Sequence, residues 1–207
     1  ASKILAELEK YGASSNTAGV VRITFSRLFL RMCEGQHLDL TTSKATLEDY
    51  WEIVNLKSGM FFAAGCRSGA ELILKDKARL NAFETYGKEI GILIQLLDDL
   101  EEFQIAPKSG KHFLNLADKN LSLPLSYAYS VLTEEQQSFL SRKIERAKFD
   151  SDAAQSVLEM LDNVGVASYI SMELSRHASL AQEALGQARA VDPTRGILVD
   201  LVNTLIN

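Results

Sequence analysis

The sequence predicts an all-α protein, and three observations carry that expectation. Its 207 residues include only three prolines, at 107, 124 and 193, so long stretches run without a helix breaker. Apolar residues recur at the three-to-four-residue spacing of a helix face and do not alternate as strand residues do. Strand signals are essentially absent.

The expected helices cover about 2–11, 17–37, 46–73, 77–104, 120–131, 134–146, 151–163, 166–188 and 194–206. Ser15-Asn16-Thr17 supplies side-chain oxygens suited to starting the second helix. The spans 46–73 and 77–104 are the longest, with no proline inside either. Gly110 marks a loop before the helix that carries Pro124, and Thr133-Glu134-Glu135-Gln136 resembles a capping box. Pro193 marks the last loop, ahead of the closing helix.

Within 77–104, the stretch at about 86–99 is apolar nearly all round, which predicts burial on most sides by other helices. It then turns abruptly acidic, in Gly91-Ile-Leu-Ile-Gln-Leu-Leu-Asp98-Asp99-Leu-Glu101-Glu102-Phe103. On a helix, Asp98 and Glu102 share a face, with Gln95 one turn above them. These hard oxygen donors suit Mg²⁺, which prefers a few carboxylates plus water and phosphate oxygens to a full protein cage. Taken alone, the same run also reads as a solvated helix end.

Bulk properties narrow the choices. The length suits one domain, 1–207. Lys and Arg total 22 against 27 Asp and Glu, a net charge of -5, so no footprint for nucleic acid is present. Cys33 and Cys66 show no metal-binding spacing and read as small buried apolar residues of a reducing compartment. His37, His112 and His177 share no spacing that would suggest a metal or base. No apolar segment reaches the ~18–20 residues that span a bilayer. The opening Ala-Ser-Lys-Ile-Leu-Ala-Glu-Leu-Glu-Lys is too charged for a signal peptide, so a soluble, cytoplasmic protein is expected.

The acidic run has companions in a fixed order: Gly35-Gln36-His37-Leu38-Asp39-Leu40, Lys57-Ser58, Gly110-Lys111 and Lys119-Asn120-Leu121-Ser122-Leu123-Pro124. The ordered set resembles the trans-isoprenyl diphosphate synthases (polyprenyl synthetases), in which GQxxDL, a Lys-Thr pair, FQxxDDxxD, GKxxGxD and GKxTLP follow one another. The resemblance covers essentially the whole chain and implies an isoprenoid synthase-type helical bundle around a central cavity. It implies a Mg²⁺-dependent prenyltransferase that condenses isopentenyl diphosphate with an allylic prenyl diphosphate, in a homodimer joined near 17–37 and 46–73. Asp98, Asp99 and Glu102 would serve the metal, with Asp99 supporting the geometry. Lys57 and Lys111 would bind diphosphate, with Ser58, Gln95 and Gln36 also in the substrate site. Asp98, Asp99 and Lys57 would carry the chemistry, and Met60, Phe61 and Phe62 would help to exclude water.

The chain departs from the family pattern at several positions. Glu102 stands for the usual Asp, Ser58 for Thr, Asn115 for an Asp and Asn120 for a diphosphate-facing Lys. The first acidic motif, DDxxD, is absent from residues 1–90, and the resemblance places it upstream of Ala1. Two alternatives follow from these departures. One is a terpene cyclase or peptide-modifying prenyltransferase on the same fold, and the other is a non-catalytic regulatory subunit of a complete synthase.

Overall fold

The computed structural model describes residues 2–42, 46–105, 122–147 and 149–206. Every regular element among them is helical. The order is α1 (Ser2–Ala6), a 3₁₀ turn (Leu8–Tyr11), α2 (Ser15–Thr41), α3 (Leu47–Val54), a π-helical segment (Asn55–Gly59), α4 (Met60–Glu71) and α5 (Lys77–Ile105). Then come α6 (Leu123–Val131), α7 (Glu134–Ala147), α8 (Ser151–Asn163), α9 (Val166–Ala188) and α10 (Thr194–Ile206).

The expected helices all find counterparts, with two interruptions. The span 2–11 breaks after α1, and its 3₁₀ turn ends at Gly12, whose φ of 96° is a left-handed conformation that glycine adopts at little cost. The span 46–73 is one helical run with a π segment at its centre. Starts are capped by side chains. Thr133 and Gln136 exchange the expected bonds, with Gln136 Oε1 accepting from Thr133 N at 3.0 Å and Thr133 Oγ1 from Gln136 N at 3.4 Å. A second box, Thr46 with Asp49, opens α3: Asp49 Oδ2 accepts from Thr46 N at 2.8 Å and Thr46 Oγ1 from Asp49 N at 3.1 Å.

The chain divides into two compact units. The first comprises residues 1–36, 54–94 and 176–207. Its core includes Ala18, Val21, Leu28, Ala63, Tyr86, Leu93, Ala181 and Leu185. Inside it Thr24 Oγ1 donates to Glu71 Oε1 at 3.0 Å and Arg67 Nε to the same oxygen at 2.9 Å, while Glu71 Oε2 is buried with no hydrogen-bond partner among the described residues. The Arg79 guanidinium donates to the carbonyls of Ala188 and Arg189 at the end of α9, a cation at the negative pole of a helix.

The second unit comprises residues 37–53 and 95–175. Tyr50, Ile53, Leu96, Leu123, Leu140, Val157, Leu161 and Ile170 are buried in it. There α8 packs against α7 and α6. In α5, no residue from Tyr86 to Leu97 is exposed, as its all-round apolar character predicts. Among the described residues no helix is long and apolar enough to cross a membrane.

Candidate active site

In the first unit the π segment carries Lys57 and Ser58, and π turns inserted in helices are often found at functional sites. Two glycines press on it. A Cβ on Gly35 of α2 would lie 2.6 Å from Lys57 N, and one on Gly91 of α5 would collide with the Ser58 carbonyl. Only hydrogen at those positions lets three backbone segments approach so closely. The π turn also leaves Asn55 Oδ1 buried with no hydrogen-bond partner among the described residues.

Beside this segment lies a cavity of about 370 Å³, lined by Met32, Cys33, Gln36, Lys57, Ser58, Phe61 and Phe62. Lys57, Ser58, Phe61 and Phe62 stand at i, i+1, i+4 and i+5, one face of a helix. Met60, expected with the two phenylalanines, falls outside that face and does not line the cavity. Cys33 corrects another expectation: it is exposed at the cavity and not buried, because α2 turns that face outward. Cys66 is half-buried, and burial pushes its thiol up to about 11.

In the second unit the acidic end of α5 separates its two aspartates. Asp98 is exposed, whereas Asp99 is 2% exposed. Asp99 Oδ2 accepts from Tyr50 Oη at 2.7 Å and from the backbone N–H of Leu123 at 3.2 Å. Its other oxygen accepts from Gln95 Nε2 at 3.3 Å, so Gln95 turns toward Asp99. Leu123 opens α6 behind the N-cap Ser122, where free amides favour an anion. Burial, reinforced by the charge of Asp99, holds the Tyr50 phenol well above its ordinary range. Tyr50 therefore remains a donor at neutral pH.

Lys111, with Gly110, His112, Asn115, Lys119 and Asn120, lies outside the described residues, and so does the side chain of Glu102. Among the described residues no three His, Cys, Asp or Glu side chains gather to hold a metal. A donor set of exposed carboxylate at a helix end nevertheless fits Mg²⁺, which takes one or two carboxylates and completes its shell with water and phosphate. Sequence patterns miss the buried pair Glu89 and His177, 2.5 Å apart between Oε2 and Nδ1, with Arg176 on the other ring nitrogen. No local spacing could reveal partners 88 positions apart.

The fold is that of the all-α isoprenyl synthases. It matches the crystal structure of a polyprenyl synthase from Roseobacter denitrificans with a TM-score of 0.82 and 26% identity, covering 99% of this chain and 67% of that one. The chain belongs to the polyprenyl synthetase family, whose model matches residues 1–161. It is similar to the short chain isoprenyl diphosphate synthase of Methanothermobacter thermautotrophicus, 25% identical over 161 residues, which are 75% of this chain and 49% of that protein. It is also similar to the geranylgeranyl pyrophosphate synthase of Geoglobus acetivorans, 24% identical over 187 residues, 87% of this chain and 56% of the relative. The chain thus spans about half the length of these relatives.

Proposed function

We propose that the protein is a Mg²⁺-dependent prenyltransferase that joins isopentenyl diphosphate to an allylic prenyl diphosphate. The observation that carries the reading is the cavity at the π segment, where Gln36, Lys57 and Ser58 stand beside an aromatic wall of Phe61 and Phe62. Its chemistry suits a ligand with one charged and one hydrocarbon end.

Ionisation breaks the allylic C–O bond, and the electron pair leaves on the diphosphate. The barrier falls when that developing charge meets fixed cations. Lys57 offers a compact ammonium to diphosphate oxygens, and Lys111 takes the same role in this reading. Ser58 and Gln36 add neutral hydrogen bonds that orient the head group. Phe61 and Phe62 exclude water, which would quench the carbocation to an alcohol, and their ring faces are favourable to positive charge. Asp98 and Glu102 would hold Mg²⁺, which neutralises the departing diphosphate. The alkene electrons of isopentenyl diphosphate then form the new carbon–carbon bond, and transfer of a proton to the released diphosphate restores a double bond.

The homodimer belongs to the same reading. Ile23 and Leu30, two turns apart on α2, are 72% and 63% exposed, an apolar face suited to a second copy. The test uses the whole protein that carries this chain, incubated with Mg²⁺, labelled isopentenyl diphosphate and dimethylallyl, geranyl or farnesyl diphosphate in turn. Longer prenyl diphosphates are expected. Absence of product from every primer would reject the reading.

A further inference from the structure

We propose that Tyr50, which belongs to none of the motifs, is a positioning residue that holds Asp99 inward, as a support for the metal site and not a ligand in it. The proposal rests on the metal-dependent reading above. Neighbouring residues on a helix point about 100° apart, so Asp98 and Asp99 cannot both face one ion without distorting the helix. The burial pattern resolves the choice, with Asp98 outward and Asp99 inward.

The hydrogen bonds of Asp99 state its task. A carboxylate oxygen has two lone-pair directions, and Oδ2 has both Tyr50 Oη and Leu123 N as donors. Oδ1 accepts from Gln95. An ion reaching Oδ2 would have to displace Tyr50 or Leu123, and one reaching Oδ1 would compete with Gln95, inside a buried site. Left in place, they tie α3, α5 and α6 to a single carboxylate. The last turns of α5 are then held in one orientation, which fixes where Asp98 projects and where the next turn, with Glu102, begins.

Tyr50 is itself braced. Trp51 meets its ring edge-on, with centroids 5.2 Å apart, and Trp51 Nε1 donates to Tyr169 Oη at 3.2 Å. Tyr169 in turn stacks on Tyr127 at 4.1 Å. This aromatic wall draws on α3, α6 and α9 and restricts the Tyr50 hydroxyl to the Asp99 side. Groups that orient metal ligands without touching the metal typically change affinity about 10–100-fold when removed.

The test measures binding directly. Mn²⁺ is titrated into the whole protein with inorganic diphosphate present, and free Mn²⁺ is read by electron paramagnetic resonance. Asp98→Asn is expected to abolish the site. Asp99→Asn and Tyr50→Phe are expected to keep the number of bound ions while weakening them about 10-fold, with kcat reduced at limiting metal, restored at saturating metal, and KM for isopentenyl diphosphate unchanged. Trp51→Phe, which loosens the brace on Tyr50 without removing its hydroxyl, should lower the melting temperature and weaken Mn²⁺ binding less than Tyr50→Phe does. Loss of the site in Asp99→Asn as complete as in Asp98→Asn would make Asp99 a ligand and overturn the proposal. Unchanged affinity in Tyr50→Phe would overturn the role of Tyr50. A wild-type protein that binds no Mn²⁺ would sink the metal-dependent reading itself, a result distinguishable from both.

Discussion

Gly91 of α5 lies so close beneath Ser58 that the methyl group of an alanine there would collide with the Ser58 carbonyl oxygen and carbon. Gly35 presses the same segment from α2, where a Cβ would meet Lys57 N at 2.6 Å. The two glycines set the position of the Lys57-Ser58 backbone. Gly35→Ala and Gly91→Ala should each destabilise the fold by about 1–3 kcal/mol, the usual cost of overpacking a core. In melts followed by circular dichroism that is a fall of roughly 2–12 °C for a chain of this size. Gly65→Ala, on α4 with nothing within 4 Å of its Cβ, should instead be neutral or stabilising.

Asp98 is exposed, so its replacement should separate function from folding. Asp98→Ala is expected to lower Mg²⁺-dependent turnover by at least about 100-fold, in line with losing a group that stabilises the leaving charge. Its unfolding free energy should stay within about 0.5 kcal/mol of wild type. A large loss of stability would mean that the carboxylate is structural.

The two cysteines should react differently. Cys33 is exposed at the cavity, and the Cys66 thiol is pushed up to about 11 by burial. The thiolate is the nucleophile, so at pH ~8 only about one in a thousand Cys66 side chains is reactive at any moment. Iodoacetamide at that pH should add one carbamidomethyl group rapidly, mapping to Cys33 by peptide mass. The second should follow only at high pH or on unfolding.

The start of α3 carries a pH-dependent contribution. Hydrogen bonds from the Thr46 side chain and backbone hold the Asp49 carboxyl below the usual carboxylate range. Its folded pKa is therefore below the unfolded value of about 3.9. The stabilisation is fully present above that value and disappears as pH falls through the folded pKa. Wild type should exceed Thr46→Ala in urea midpoint at neutral pH, and the gap should narrow below pH ~4. A gap that stays constant or widens in acid would contradict the assignment.

Glu89 and His177 are both buried, and each is the other's hydrogen-bond partner. His177→Ala leaves a buried carboxyl without that partner, which should cost about 3–5 kcal/mol in urea unfolding. A loss under about 1 kcal/mol would show that Glu89 finds another donor or water.

Much of this protein is local in origin and so legible in its sequence. Helical spacing and scarce prolines suffice for the positions of the helices. The all-round apolar stretch that becomes α5 needs no partner to announce its burial, and the Thr133 box depends on residues three apart. The motif order around Gln36, Lys57 and Asp98 is likewise a property of the linear chain. The π turn at Asn55–Gly59 has no such local signature, and the close approach of α2 and α5 to it depends on Gly35 and Gly91, which are distant in sequence.

The sequence by itself determined the all-helical class, the family motifs and the acidic end of α5. The tertiary structure decided which of the two adjacent aspartates faces inward, because that choice depends on Tyr50 and Leu123, 49 and 24 positions away. It also decided that Cys33 opens onto the cavity, and that Gln95 turns to Asp99. The physical reason is common to all three. Helical periodicity states which residues share a face, and only the packing of distant segments states what that face meets.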